Sequence, residues 1–292
     1  MLSIFFRLVT VLFLLLIASG LQAQSFVIKG VVRNSTTKSE IPFVNIGIGK
    51  RGAATVADSS GAFVLRLREA ERKDTLVFSA IGFYPLALPV AAVRTGGKTE
   101  FLLRPKNLKL KEVKVKAGSS KWKEKKVGYH IDRGSPFRHV FSPSDSSAAF
   151  ASGEEIGCRI SLDKYPAYLQ SISFGLLGSG NQNITVGIRL YSIKNNLPHE
   201  ELLPEKVVVH IPAHHTGWIT VPIGKYNLNL EEDVAVMIEW LNGPNRLTGN
   251  SLMSFASTPK GQNIYYREEK ARPWQRIRTW SIGLYATVLY EN

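Results

Sequence analysis

The stretch that decides the fold is "VADSSGAFVLRL", residues 56–67. Asp58, Ser59, Ser60 and Gly61 form a turn: Asp and Ser side chains bond nearby backbone, and glycine accepts positive φ. Phe63, Leu65 and Leu67 then alternate with Val64, Arg66 and Arg68. A period of two puts the first three on one face of a strand and the others on the opposite face. The same grammar recurs outward in "FVIKGVV", "IPFVNIGI", "DTLVFSA", "KTEFLL" and "LKEVKVKA", each of strand length and rich in β-branched or aromatic residues. No useful helical period separates them. Residues 25–117 therefore read as an antiparallel β-sandwich of about seven strands.

Upstream, Arg7 precedes "LVTVLFLLLIASG" and "LQAQS", a basic residue, an apolar core and a small-residue exit. Residues 1–23 read as a secretory signal peptide, because the apolar run is shorter than the roughly 20 residues that span a bilayer. The expected location is the periplasm, the cell surface or the outer membrane. No cysteine follows the apolar run to carry a lipid, and Cys158 alone leaves no intramolecular disulfide.

Five segments in fixed order, "IKGVV", "IPFVNIGI", "TVADSSGAFVLRL", "DTLVFSAIGFYP" and "LKEVKVKA", resemble the carboxypeptidase regulatory-like domain, a transthyretin-like β-sandwich common in exported proteins of Bacteroidetes-type bacteria. Gly30, Pro42, Asn45, Asp58, Gly61, Phe63, Ile81, Gly82 and Tyr84 stand at or near positions carrying that pattern. The resemblance implies an accessory scaffold or docking module, without the zinc-bearing catalytic domain of carboxypeptidases. Residues 25–117 contain no histidine. In related proteins the closing strand leads into a large transporter barrel of about 22 strands, and the chain after Ala117 is far too short for one.

Residues 118–135, "GSSKWKEKKVGYHIDRGS", are polar and lysine-rich and read as a basic linker. Much of the formal charge of +14 is local: residues 104–126 hold ten basic residues against Glu112 and Glu124, a net +8. Lysines of this kind guard an exposed edge, and Lys121, Lys123, Lys125 and Lys126 are also candidates for contact with an anionic surface. An exported protein rarely meets nucleic acid, so no nucleic-acid partner is expected.

Residues 136–292 return to β signals. Ile184, Val186, Ile188 and Leu190 share one face of "ITVGIRLY", and Val234, Val236, Ile238 and Trp240 share one face of "VAVMIEW". Eight to ten antiparallel strands fit a jelly-roll-like sandwich, which loosely resembles extracellular carbohydrate-binding modules. The alternative architecture is a small outer-membrane β-barrel. "SISFGLL" and "VVVHI" look apolar on both faces, which favours the sandwich.

Catalytic signals are weak. His210, His214 and His215 lie close in sequence, but a proline interrupts them and no carboxylate adjoins them. Glu154 with Glu155, Glu231 with Asp233, and Glu268 with Glu269 are neighbours or near neighbours. Adjacent strand residues point to opposite faces, so adjacency does not build a catalytic pair. Cys158 reads as a small buried residue. No cofactor, metal site or catalytic residue is expected, and a glycan-active enzyme remains an alternative. The candidate ligand-binding residues are Tyr265, Tyr266, Arg272, Trp274 and Arg276, an aromatic and basic set suited to stacking a sugar ring. Trp218 and Trp240, within strong strands, read as core. The expected activity is non-enzymatic binding or scaffolding at the cell envelope, with a glycan or an envelope protein as partner.

Overall fold

The computed structural model describes residues 25–48, 53–93, 97–106, 122–131, 134–141, 153–241, 252–259, 261, 263–268 and 273–291. The signal-peptide reading (1–23), Lys121 and Arg272 lie outside the described residues.

The first domain has seven described strands: β1 (Ser25–Asn34), β2 (Asn45–Ile48), β3 (Ala54–Val56), β4 (Ala62–Arg68), β5 (Thr75–Ser79), β6 (Leu86–Pro89) and β7 (Lys98–Leu103). They form two sheets, in the orders β4-β1-β7 and β3-β2-β5-β6. Strand β7 runs parallel to β1. The opening motif behaves as its residues dictate. Asp58 Oδ1 accepts hydrogen bonds from Ser60 N (2.8 Å), Ser60 Oγ (2.7 Å) and Ala62 N (3.0 Å), and Gly61 turns the chain at φ +72°. In β4, Phe63, Leu65 and Leu67 are buried while Val64, Arg66 and Arg68 are exposed. Phe63 meets Phe78 and Phe101, whose rings stack at 4.4 Å, and these three rings fill the space between the sheets.

The second domain contains β8 (Trp122–Tyr129), β9 (Phe137–Phe141), β10 (Glu155–Ile160), β11 (Ala167–Ser179), β12 (Ile184–Lys194), β13 (Leu197–Glu201), β14 (Val207–Ile211) and β15 (Gly217–Pro222). It continues through β16 (Asn229–Leu230), β17 (Val234–Trp240), β18 (Met253–Thr258), β19 (Ile264–Arg267), β20 (Gln275–Ile277), β21 (Ser281–Ile282) and β22 (Leu284–Glu291). One sheet follows β13-β12-β17-β10-β19-β20 with β14 beside β12. The other follows β21-β18-β11-β22-β8, with β15 and β16 on β11 and β9 on β18. Every described pairing within this domain is antiparallel, and the chain passes repeatedly between the sheets.

Ile184, Val186, Ile188 and Leu190 of one strand, and Val234, Val236, Ile238 and Trp240 of another, all enter a single core with Phe174, Phe255 and Leu284. The two sheets enclose that packed interior as a sandwich. Among the described residues the strands of this domain form two sheets rather than one closed ring.

Two expectations are corrected. Residues 118–135 are not all linker: Trp122–Tyr129 is a strand that pairs with β22 from Glu291 to Leu284. Val127 is buried in the second core. Lysines at an edge position masked that strand, because such an edge accepts charge without loss of pairing. "SISFGLL" is also not apolar on both faces. Ile172, Phe174 and Leu176 enter the core, whereas Ser171, Ser173 and Gly175 face outward.

A trough on the eight-stranded sheet

The outward face of the eight-stranded sheet follows from strand alternation. On β15, Ile219 and Val221 turn to the core, so Trp218, Thr220 and Pro222 face out. The register places Gly175 beside Trp218, Ser173 between Thr220 and Tyr285, and Ser171 between Pro222 and Thr287. Ser173 Oγ and Thr220 Oγ1 share a hydrogen bond of 2.9 Å. Small residues thus floor the middle of this face.

Trp218 lies across that floor. A Cβ at Gly175 would sit 3.2 Å from indole carbon Cζ2, and one at Gly283 would sit 3.5 Å from Cη2. The indole therefore rests on Gly175 of β11 and on Gly283, which links β21 to β22. The His130 imidazole stacks on it at 4.7 Å with planes 15° apart, and Tyr285 lies 4.9 Å away at 55°. Lys126 Nζ stands over the Tyr285 ring at 5.2 Å. At the far end of the face, Trp122 meets Tyr168 edge-on at 4.9 Å. His130 also walls an open depression of 540 Å³ lined by Tyr129, Ile131, Ser135 and Thr258. The result is a hydroxyl-bearing floor with aromatic groups at both ends. His130 and Thr220 are its exposed members, while Ser173 and Tyr285 are buried and the indole lies between His130 and Gly175.

The sequence-predicted platform does not assemble. Tyr265 is wholly buried, packed with Tyr191, Ala235 and Met237 on the outer face of the seven-stranded sheet. Tyr266 points the other way, toward the main core. Trp274 and Arg276 share the Tyr265 face, but Trp274 is occupied: the Arg267 guanidinium lies 3.9 Å over its ring, and Tyr191 meets it edge-on at 5.6 Å. Trp240 is core as expected, whereas Trp218 is not. Its parity with Thr220 and Pro222 in "GWITVPI" was the available signal.

Candidate chemistry elsewhere is muted. Cys158 is buried, and burial pushes its thiol up to about 12, so it stays protonated at neutral pH. Among the described residues no group of three or more His, Cys, Asp or Glu side chains is placed to hold a metal. His210 bonds Thr185 (3.1 Å), and the His215 backbone N–H donates to Ser179 Oγ (2.8 Å). One carboxylate pairing escaped sequence reading: Glu155 and Glu239 stand opposite each other on β10 and β17. Both are 0% exposed and committed to arginines.

A family model for the CarboxypepD_reg-like domain matches residues 28–115, the span of the first sandwich. Residues 28–115 are a CarboxypepD_reg-like domain. No curated protein sequence matches the chain. Among solved structures, the cysteine protease and lectin-like domains of Cwp84, a surface-layer-associated protein of Clostridium difficile, align at 11% identity and TM-score 0.35. That match covers 52% of this chain and 35% of the other, so this chain spans about a third of that relative. The clostridial Cwp84 cysteine protease after propeptide cleavage aligns at 9% identity and TM-score 0.39, over 90% of this chain and 70% of the other. Likenesses this remote transfer neither protease nor lectin chemistry.

The CarboxypepD_reg-like domain is seated on the outer face of the seven-stranded sheet, and charged groups make the seam. Arg189 Nε donates to Glu239 Oε2 (2.6 Å), and Nη1 donates to Glu201 Oε1 (2.5 Å). Lys206 Nζ lies 3.3 Å from Glu239 Oε2 and donates to Phe43 O of the CarboxypepD_reg-like domain (2.5 Å). The Asn45 amide, oriented to satisfy both neighbours, donates to Glu239 Oε1 (3.0 Å) and accepts from Arg189 Nη2 (3.1 Å). Burial works against the charged form of Arg189, but Glu239 and Glu201 outweigh it and hold the guanidinium's pKa well above its ordinary value. Alongside, Arg267 Nη2 donates to Glu155 Oε1 (2.5 Å) and to Tyr191 Oη (3.0 Å). Of these two buried carboxylates, Glu239 belongs to the seam, through Asn45 and Lys206.

Proposed function

We propose that this is an exported, non-enzymatic cell-envelope binding protein whose second domain holds a glycan in the trough around Trp218. The single observation that carries the reading is the exposed His130 imidazole, stacked on Trp218 over Gly175, beside the exposed Thr220. Export is supported by the apolar leader in residues 1–23. Binding is favoured over turnover because Cys158 is buried as a thiol, and Glu155 and Glu239 are sealed in ion pairs. The CarboxypepD_reg-like domain serves as the scaffold that covers the Arg189–Glu239 pair.

The test is glycan-array screening of the mature protein followed by titration calorimetry on the best hit. Trp218→Ala is expected to weaken binding by about tenfold to a hundredfold, roughly 1.4–2.8 kcal/mol, with the fold retained. Trp274→Ala is expected to leave affinity unchanged, since Trp274 belongs to the sealed face. Equal affinity for the wild-type protein and Trp218→Ala overturns the trough as the site.

A further inference from the structure

Resting on the glycan reading, the charge around the trough narrows the ligand class. On β9, Phe141 enters the core, so Arg138 and Val140 face outward; both are exposed. Arg138 stands opposite Ala256, whose carbonyl accepts the Gly283 N–H. It therefore lies two strand spacings, ~10 Å, from the glycine beneath the indole edge. Lys126 approaches from the other flank, over Tyr285. The described carboxylates of β8 and β22 on this face, Glu124 and Glu291, sit at the opposite end, in the rows of Leu289 and Trp122. The aromatic stack is thus flanked by two exposed cations, and the acidic side chains lie beyond them.

We propose that the trough selects acidic glycan chains, bearing uronate or sulfate groups, with a sugar ring against the exposed His130 imidazole that caps Trp218, and anionic substituents met by Lys126 and Arg138. A neutral sugar needs only the aromatic surface, and gains nothing from flanking cations. Exposed cations act over about 8 Å at physiological ionic strength and about 3 Å at 1 M, so the selectivity is salt-sensitive. Lys125, by contrast, is held by Asp163 at 2.6 Å. Lys123 and Lys125 share the parity of core-facing Val127, so the anion-facing role falls to Lys126 among the described lysines of this strand.

The experiment is titration of the mature full chain with polygalacturonate, with dextran as the neutral polymer, and with vesicles of phosphatidylcholine and phosphatidylglycerol. Polygalacturonate is expected to bind at least tenfold tighter than dextran, and to lose at least tenfold in affinity between 0.05 and 0.5 M NaCl. Lys126→Gln and Arg138→Gln are each expected to lose severalfold toward polygalacturonate while dextran binding is unchanged; both substitutions are on the surface and spare the fold. Equal, salt-insensitive binding of both polymers overturns the acidic selectivity and leaves the glycan trough standing. Binding to anionic vesicles alone overturns the polysaccharide as ligand. Failure of glycans of every class to bind overturns both this inference and the reading beneath it.

Discussion

Gly175 determines what Trp218 is able to do. The indole is rooted on β15 and reaches over β11 toward β22, and it lies flat only because the position beneath it has no side chain. An added methyl 3.2 Å from the ring forces the indole to lift or swing. Gly175→Ala is expected to shift the tryptophan emission spectrum and lower glycan affinity by about tenfold, roughly 1.4 kcal/mol, while circular dichroism stays that of the wild type. Unchanged emission and affinity would show that the ring does not depend on its floor. At this scale the sequence was half legible. Asp58, Gly61 and the alternation after them predicted their own turn and strand, because those interactions are local. The aromatic platform failed because tryptophan and tyrosine serve equally as core and as surface, and only the partner strands decide. Tyr265 and Tyr266 illustrate this: neighbours in sequence, they face opposite sides of one sheet.

At the scale of elements, β12 and β17 carry both the core and the seam. Their inward faces are uninterrupted aliphatics, which made them readable as strands. Their outward faces hold Arg189 and Glu239, each 0% exposed, and nothing in the sequence marks these as buried. Charged residues at alternate positions are ordinarily the solvent side of a strand, and here another domain has replaced the solvent. Removing one member of such a pair leaves a charge in a site that water cannot reach. Glu239→Gln is expected to cost about 3–5 kcal/mol in urea unfolding, since Arg189 keeps Glu201 as its remaining described carboxylate and Lys206 loses its nearest described one. A loss below about 1 kcal/mol would mean that the pair is solvated and the seam open. Strand β8 gives the complementary lesson. Its lysines resemble linker because an edge strand and a linker tolerate the same residues, and only Val127, turned to the core, betrays the difference.

For the whole molecule, the seam decides whether two domains behave as one. Lys206 and Asn45 bridge from the second sandwich to the first through a backbone carbonyl and a side-chain amide, both directed at buried charge. The intact protein is expected to unfold in a single transition. Asn45→Ala, which strips a partner from both Glu239 and Arg189, is expected to lower stability by about 1–3 kcal/mol. It should also separate the unfolding of the two sandwiches when urea denaturation is followed by tryptophan fluorescence and by circular dichroism. Coincident transitions in the variant would place the coupling elsewhere. The division into two β-domains was legible because each core announces itself by alternation. Their union was not, because it depends on contacts such as Lys206 with Phe43, far apart along the chain.

The seam and the trough occupy opposite sheets of one sandwich, whose layers stand ~10 Å apart. A ligand in the trough is thus kept on the far side of a packed wall from the first domain, and its arrival leaves the fastening untouched. In the proposed reading the second sandwich has the plan of a bracket, with one side fixed to its companion domain and the other offered to a ligand. Its two faces can be altered independently: loosening the grip need not unfasten the mount.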